Sequence, residues 1–296
     1  MTIYEFSALF AAACWAITAV LAAAPVAHLG AVAFTRIRMA MVFAMLTSFV
    51  AATGAWRGFD TTMLAPVALS GVVGIFLGDT ANFITLARLG PRRTSILFAT
   101  NAPMTVALGF LLLGERLEGR DLAGALVIFL GVLMAIVFGK RRAQLHSWEA
   151  VKGPLWIGIA VGLFSALCQA GGTLILRPVM ASGADPASVA ALRVGTAVAC
   201  FYLAYPLAPE WSAKRQPLTA GIAAMTAASG LIAMGIGVTF LLFALSGGKV
   251  GIISTLSATT PVLVLPLLWI MTRERPAAGA FAGAGLVVLG TWLISG

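Results

Sequence analysis

Residues 101–131 read NAPMTVALGFLLLGERLEGRDLAGALVIFLG, and residues 259–290 read TTPVLVLPLLWIMTRERPAAGAFAGAGLVVLG. Each stretch opens on polar residues before a proline: Asn101 before Pro103, and Thr259 and Thr260 before Pro261. Each then crosses an apolar run, reaches a Glu-Arg pair (Glu115-Arg116, Glu274-Arg275) and closes on two glycines (Gly124 and Gly131, Gly283 and Gly290). Glutamate to first glycine is nine residues in both, glycine to glycine is seven, and proline to glutamate differs by one. The likeness continues upstream. Leu9-Phe10-x-Ala12-x-Cys14 matches Leu163-Phe164-x-Ala166-x-Cys168, Ile37-Arg38 matches Leu192-Arg193, and Gly71 and Gly78 match Gly230 and Gly237. The chain is a duplication.

Its medium follows from composition. Of 296 residues, 60% are apolar and 10% charged, against about 25% charged in soluble domains. The surface must therefore face lipid. The net charge of +9 does not point to nucleic acid, because the basic residues stand singly or in short clusters between apolar runs, as loop anchors of a membrane protein do. Residues 1–5 carry no Lys or Arg, so the first apolar run reads as a membrane helix and not as a secretory signal. Cys14, Cys168 and Cys200 lie in apolar runs without metal or disulfide spacing and read as small buried hydrophobes.

A span needs about 20 mostly apolar residues. Segments of that kind fall at 5–25, 31–53, 63–87, 93–113 and 120–138, then at 153–176, 186–207, 218–245, 249–270 and 277–295. The breaks between them carry Gly, Pro or charge. The expected architecture is an all-α integral membrane protein of ten transmembrane helices: a first five-helix repeat (1–139), a basic central loop (140–152) and a second repeat (153–296). Five is odd, so the second copy enters the bilayer upside down. An inverted repeat puts a transporter's substrate site near mid-depth, between the halves.

Lys and Arg are biased toward one face. Ten occupy the breaks after segments one, three, five, seven and nine, and five occupy the others. That bias places the central loop in the cytoplasm and both termini outside.

Ionisable residues within membrane segments mark function by default. Asp79 is the one carboxylate well inside a segment, and Asn82 follows one turn later on the same face. Asp79 can receive a substrate ammonium group or a proton, or it can pair with an arginine. Arg38 and Arg193 occupy matched positions. They can bind a substrate carboxylate, but the reading adopted here is structural, with the side chains snorkelling to headgroups or clamping helix ends. Pro103 and Pro261 kink repeat-equivalent helices and can act as hinges. Asn101, Thr259 and Thr260 beside them either satisfy freed backbone groups or line a cavity, and cavity lining is expected. Trp15 and Gln169 follow the matched cysteines and are expected to line the site with Phe83 and Phe98. Glu115 and Glu274 read as structural caps or ion pairs. Gly279 and Gly283 form G-x-x-x-G, which serves helix packing or a dimer contact.

Enzymatic chemistry finds no support. His28 and His146 fall in predicted loops, and H-E-x-x-H, G-x-x-x-x-G-K-[ST] and D-D-x-x-D are absent. No cofactor or metal is expected.

The doubled Pro–apolar run–Glu-Arg–Gly–Gly block, with Arg38 and Arg193 in the second helix of each half, resembles the EamA-type carriers of the drug/metabolite transporter superfamily. Within it, the chain is similar to the YddG-type exporters of aromatic and hydrophobic amino acids. The resemblance implies ten helices in two inverted repeats, a central cavity, and export across the bacterial inner membrane by a monomer or homodimer. It also implies cytoplasmic termini, against the charge bias. With a single intramembrane carboxylate the expected mode is uniport-like. The alternative function is proton-coupled extrusion of lipophilic cations, with Asp79 as the charge partner.

Overall fold

In a computed structural model of the chain, the described residues are all except 59, 116–117, 139–152, 208–213, 261, 264–265, 268–269, 271–276 and 296. Pro261, Glu274 and the central loop therefore lie outside the described residues. Those described form helices and turns, without strands.

The first half contains α1 (Ile3–Leu21), α2 (Ala23–Leu29), α3 (Ala31–Thr53), α4 (Leu64–Ser70), a π-helical stretch Gly71–Asp79, α5 (Thr80–Ala99), α6 (Asn101–Leu113) and α7 (Gly119–Phe138). The second contains α8 (Leu155–Ala181), α9 (Pro186–Ala204), α10 (Ala220–Gly230), a second π-helical stretch Leu231–Gly237, α11 (Val238–Gly247), α12 (Val250–Ser257) and α13 (Ala278–Ser295). The ends obey local chemistry. Thr2 and Glu5 form a reciprocal capping box on α1, with bonds of 2.9 and 3.3 Å. Asp185 caps α9 through the Ser188 N–H at 2.8 Å, with Pro186 at the first helical position. Gly54 and Gly114 end α3 and α6 in the left-handed conformation, at φ 70° and 65°.

Helical turns continue from Thr80 to Ala99 across Gly90–Arg93, where the sequence predicts a boundary, but they do not form one straight helix. The chain reverses there. A β-carbon built on Gly162 would lie 3.1 Å from Thr85 Cγ2 and 2.6 Å from a Leu97 methyl. Twelve residues of straight helix span about 18 Å, so these two side chains meet one glycine only if the chain doubles back between them. Two other boundaries shift. Helix α8 continues past the expected 176 to Ala181, taking Arg177 into the helix, and the first segment is split by a turn at Ala22.

The molecule is apolar outside and small inside. Leu111, Leu203 and Ile270 are more than 70% exposed, and Trp156 and Trp292 also face outward. Ala8, Ala11, Ala166, Ala190, Ala197 and Ala244 are wholly or almost wholly buried. That is the arrangement expected in lipid, where helix association relies on close contact of small residues. Five helical stretches are long and apolar enough to cross a membrane: Val32–Thr53, Thr61–Thr85, Leu155–Ala181, Pro186–Ala204 and Ala220–Gly247. Three shorter apolar helices, Ile3–Thr18, Leu97–Leu113 and Ala278–Leu293, accompany them. The chain is a multi-pass membrane protein.

The halves interlock through equivalent elements. Helix α3 packs on α9, α6 on α12 and α7 on α13, while α1 lies against the second π-helical stretch and α8 against the first. The repeated glycines explain the α7–α13 seam. A β-carbon on Gly131 would lie 2.7 Å from the Gly283 carbonyl, and one on Gly290 would lie 2.7 Å from the Gly124 carbonyl. Gly124 thus faces Gly290 and Gly131 faces Gly283, so the two repeat-equivalent helices run antiparallel. The G-x-x-x-G face is used inside the chain: Gly283 meets Gly131 and Ala135, and Gly279 meets Phe138.

Candidate substrate site

The two π-helical stretches occupy matching positions, and each turns backbone carbonyls toward the other half. Gln169 Nε2 donates to the Gly74 carbonyl at 2.8 Å, and Trp15 Nε1 donates to the Ala233 carbonyl at 3.0 Å. Gln169 and Trp15 are equivalent positions, as are Gly74 and Ala233. The Ser165 hydroxyl adds a bond of 2.8 Å to the Gly78 carbonyl, and the Ser70 hydroxyl one of 2.6 Å to the Gly172 carbonyl. A π turn widens the helix, and such turns recur at functional sites.

Charge collects at the first of these stretches. Asp79 ends it and is 9% exposed. Its Oδ1 accepts from Gln169 Nε2 at 2.9 Å, while its Oδ2 is buried without a hydrogen-bond partner. Arg38 and Arg193, 7% and 5% exposed, are the cations coupled electrostatically to it. Neither forms an ion pair with Asp79 at contact distance among the described residues. The Nε of each is buried and unpartnered. Arg38 stacks its guanidinium 5.1 Å from the Phe34 ring.

Glycines make room for both cations. A β-carbon on Gly74 would collide with Arg193 Nη2, and one on Gly172 would approach it to 3.3 Å. A β-carbon on Gly71 would lie 2.5 Å from the Arg193 carbonyl, and one on the equivalent Gly230 would lie 3.0 Å from Arg38 Cγ. Both side chains are buried, so of the two structural expectations, snorkelling to headgroups or clamping helix ends, the burial matches the second better. The Arg193 guanidinium occupies space left by Gly74 of the opposite half and Gly172 of its own, and the Arg38 stem lies against Gly230 of the opposite half.

The other expected site residues divide. Gln169 joins Asp79 directly. Trp15, on the symmetric position, is half-buried and bound to backbone. Asn82, Phe83 and Phe98 are half-buried on α5. The polar residues beside the kinks serve backbone. Asn101 Nδ2 donates to the Phe98 carbonyl at 2.8 Å, the Thr259 hydroxyl to the Leu256 carbonyl at 2.7 Å, and the Thr260 hydroxyl to the Ser257 and Ala12 carbonyls at 3.1 and 3.3 Å. Pro103 lies in the first turn of α6, just after a turn at Thr100. A proline is tolerated there because its missing N–H has no intrahelical partner to lose, so the break precedes the proline. Glu115 is a cap and an ion pair together: its Oε2 accepts the Val250 N–H at 2.8 Å, and its Oε1 lies 3.5 Å from Arg177 Nε. Lys249 and Asp121 add a second bridge between the halves at 3.0 Å.

A cavity of about 350 Å³ opens elsewhere, on the side of α3, α4 and α9, between Phe43, Val50, Trp56, Leu64 and Leu192. It contains none of the expected site residues.

The duplication agrees with comparison to known proteins. The model of the EamA-like transporter family matches residues 2–137 and again residues 156–296. The chain belongs to the EamA-like transporter family. It is a membrane transporter of small molecules. A comparison with curated proteins finds no match. One solved structure, described only as "Crystal structure of protein", superposes with a TM-score of 0.77 over 99% of this chain and 96% of that chain, at 20% identity. At that identity the likeness speaks for the fold alone.

Proposed function

We propose that this EamA-like transporter exports amino acids with hydrophobic side chains, and related small metabolites, across the bacterial inner membrane. Ten helices in two inverted five-helix repeats carry the transport by alternating access. The inversion is supported by the antiparallel register of Gly124 with Gly290 and Gly131 with Gly283. Rocking of two such halves exposes a site at their junction to each face in turn.

The observation that carries the reading is the buried Asp79–Arg38–Arg193 cluster. Isolated charge inside a membrane protein is costly and is retained for function. Here both signs are present in a largely apolar bundle that also holds half-buried Trp15, Phe83 and Phe98, and that combination suits a zwitterion with an apolar side chain. Extrusion of lipophilic cations fits less well. Two guanidiniums against one carboxylate leave one positive charge, which repels a cation.

Counterflow in proteoliposomes, with a panel of labelled amino acids and lipophilic cations, tests the proposal. Phenylalanine and its neighbours in hydrophobicity are expected to exchange at a rate indifferent to an imposed pH gradient. Exchange of the cations with none of the amino acids would overturn it.

A further inference from the structure

We propose that Arg38 and Arg193 together bind a carboxylate of the transported substrate, at the junction of the two halves. This deepens the amino-acid reading above. It rests on that reading only for the ammonium group, which Asp79 Oδ2 receives.

Three observations carry it. The first is unmet hydrogen bonding. A guanidinium has five N–H donors and cannot shed its proton. Both of these are at least nine-tenths buried, and each has a buried Nε without a partner. Arg177 also has a buried Nε without a hydrogen bond, but it has a carboxylate 3.5 Å away, Glu115, and a bond from Nη1 to the Ser246 carbonyl, whereas Arg38 and Arg193 have no carboxylate at contact distance among the described residues. The second is charge. Asp79 offsets one of the two cations, and its Oδ1 is already held by Gln169. One positive charge remains for a single anionic group, and guanidinium–carboxylate pairing is the strong, directional way to meet it.

The third is symmetry. Arg38 and Arg193 are repeat equivalents, and each is seated by equivalent glycines of the other half, Gly230 and Gly71. Asp79 has no such twin, since Val238 stands at its counterpart. A carboxylate between the two arginines touches both halves, so it stays held as they move. The ammonium group is read by the first half alone.

The test uses the purified full-length protein and ligand-induced thermal stabilisation with three probes: L-phenylalanine, L-phenylalaninamide and 3-phenylpropionate. The two carboxylates are expected to stabilise the protein, and the amide at least tenfold more weakly. Arg193→Gln and Arg38→Gln should each weaken both carboxylates at least tenfold, while Arg→Lys at either position should restore part of the loss. Amide binding as tight as that of the acid, or no arginine-dependent stabilisation by either acid, would overturn the proposal. Arginine-dependent binding of 3-phenylpropionate without binding of phenylalanine would leave the carboxylate site standing and remove the amino-acid reading.

Discussion

Asp79 and Arg193 can be weighed against each other by a double-mutant cycle. Asp79→Asn removes the charge but keeps an oxygen to accept from Gln169 Nε2, now 2.9 Å away. Arg193→Gln removes the cation and leaves a polar side chain in the space beside Gly74 and Gly172. The two charges do not touch, so their coupling is through space. Two unit charges roughly 6 Å apart in an effective dielectric of about 20 interact by about 3 kcal/mol. Asp79→Asn is expected to destabilise the protein, because it leaves two buried cations without a counter-charge. Arg193→Gln loses an attraction to Asp79 but also the excess cation, so its own cost is smaller. The double variant should cost less than the sum by about 2–3 kcal/mol, the signature of direct coupling. Unfolding of the purified protein in mixed micelles, by titration with a denaturing detergent, reads these differences. A coupling below about 0.5 kcal/mol would mean that the charges do not sense one another, a value at which even distant sites are additive.

Two further outcomes follow from the contacts. Gly283→Leu should destabilise by about 1–3 kcal/mol through overpacking, since its β-carbon would lie 2.5 Å from the Gly131 carbonyl; Gly285→Leu, with nothing within 4 Å, should be neutral in the same micellar unfolding assay. Glu115→Ala should cost about 1–2 kcal/mol by removing the cap on α12, and Glu115→Gln should recover more than half, because an amide oxygen can still accept the Val250 N–H.

The helical plan was legible because duplication and apolar length are written in the chain itself. Segment 31–53 coincides with α3, and the glycines that mark the repeat lie on the α7–α13 seam, a pairing their spacing alone did not reveal. The π-helical stretches were not legible. Nothing in Gly71–Asp79 distinguishes a π turn from an α turn, because the two differ only in backbone hydrogen-bond register, and the carbonyls of Gly74 and Gly78 meet Gln169 and Ser165 of the other half only in the folded chain. The direction of the arginine side chains was hidden for a related reason. An arginine two turns into a segment can snorkel or turn inward, and only the glycines opposite, Gly71, Gly74 and Gly230, decide which. The kink residues show the reverse. Asn101, Thr259 and Thr260 stood out as polar groups inside apolar runs, yet their donors satisfy neighbouring carbonyls.

The central claim is that substrate binds at the charged junction of the two halves. Asn82 lies one turn from Asp79 and is half-buried. In a variant with Cys14, Cys168 and Cys200 replaced by alanine, Asn82→Cys supplies a single thiol there. The rate of its alkylation by a membrane-permeant maleimide is the measurement. Saturating phenylalanine is predicted to slow labelling at least tenfold, and phenylalaninamide far less. Labelling unchanged by an amino acid that the same protein demonstrably transports would contradict the account.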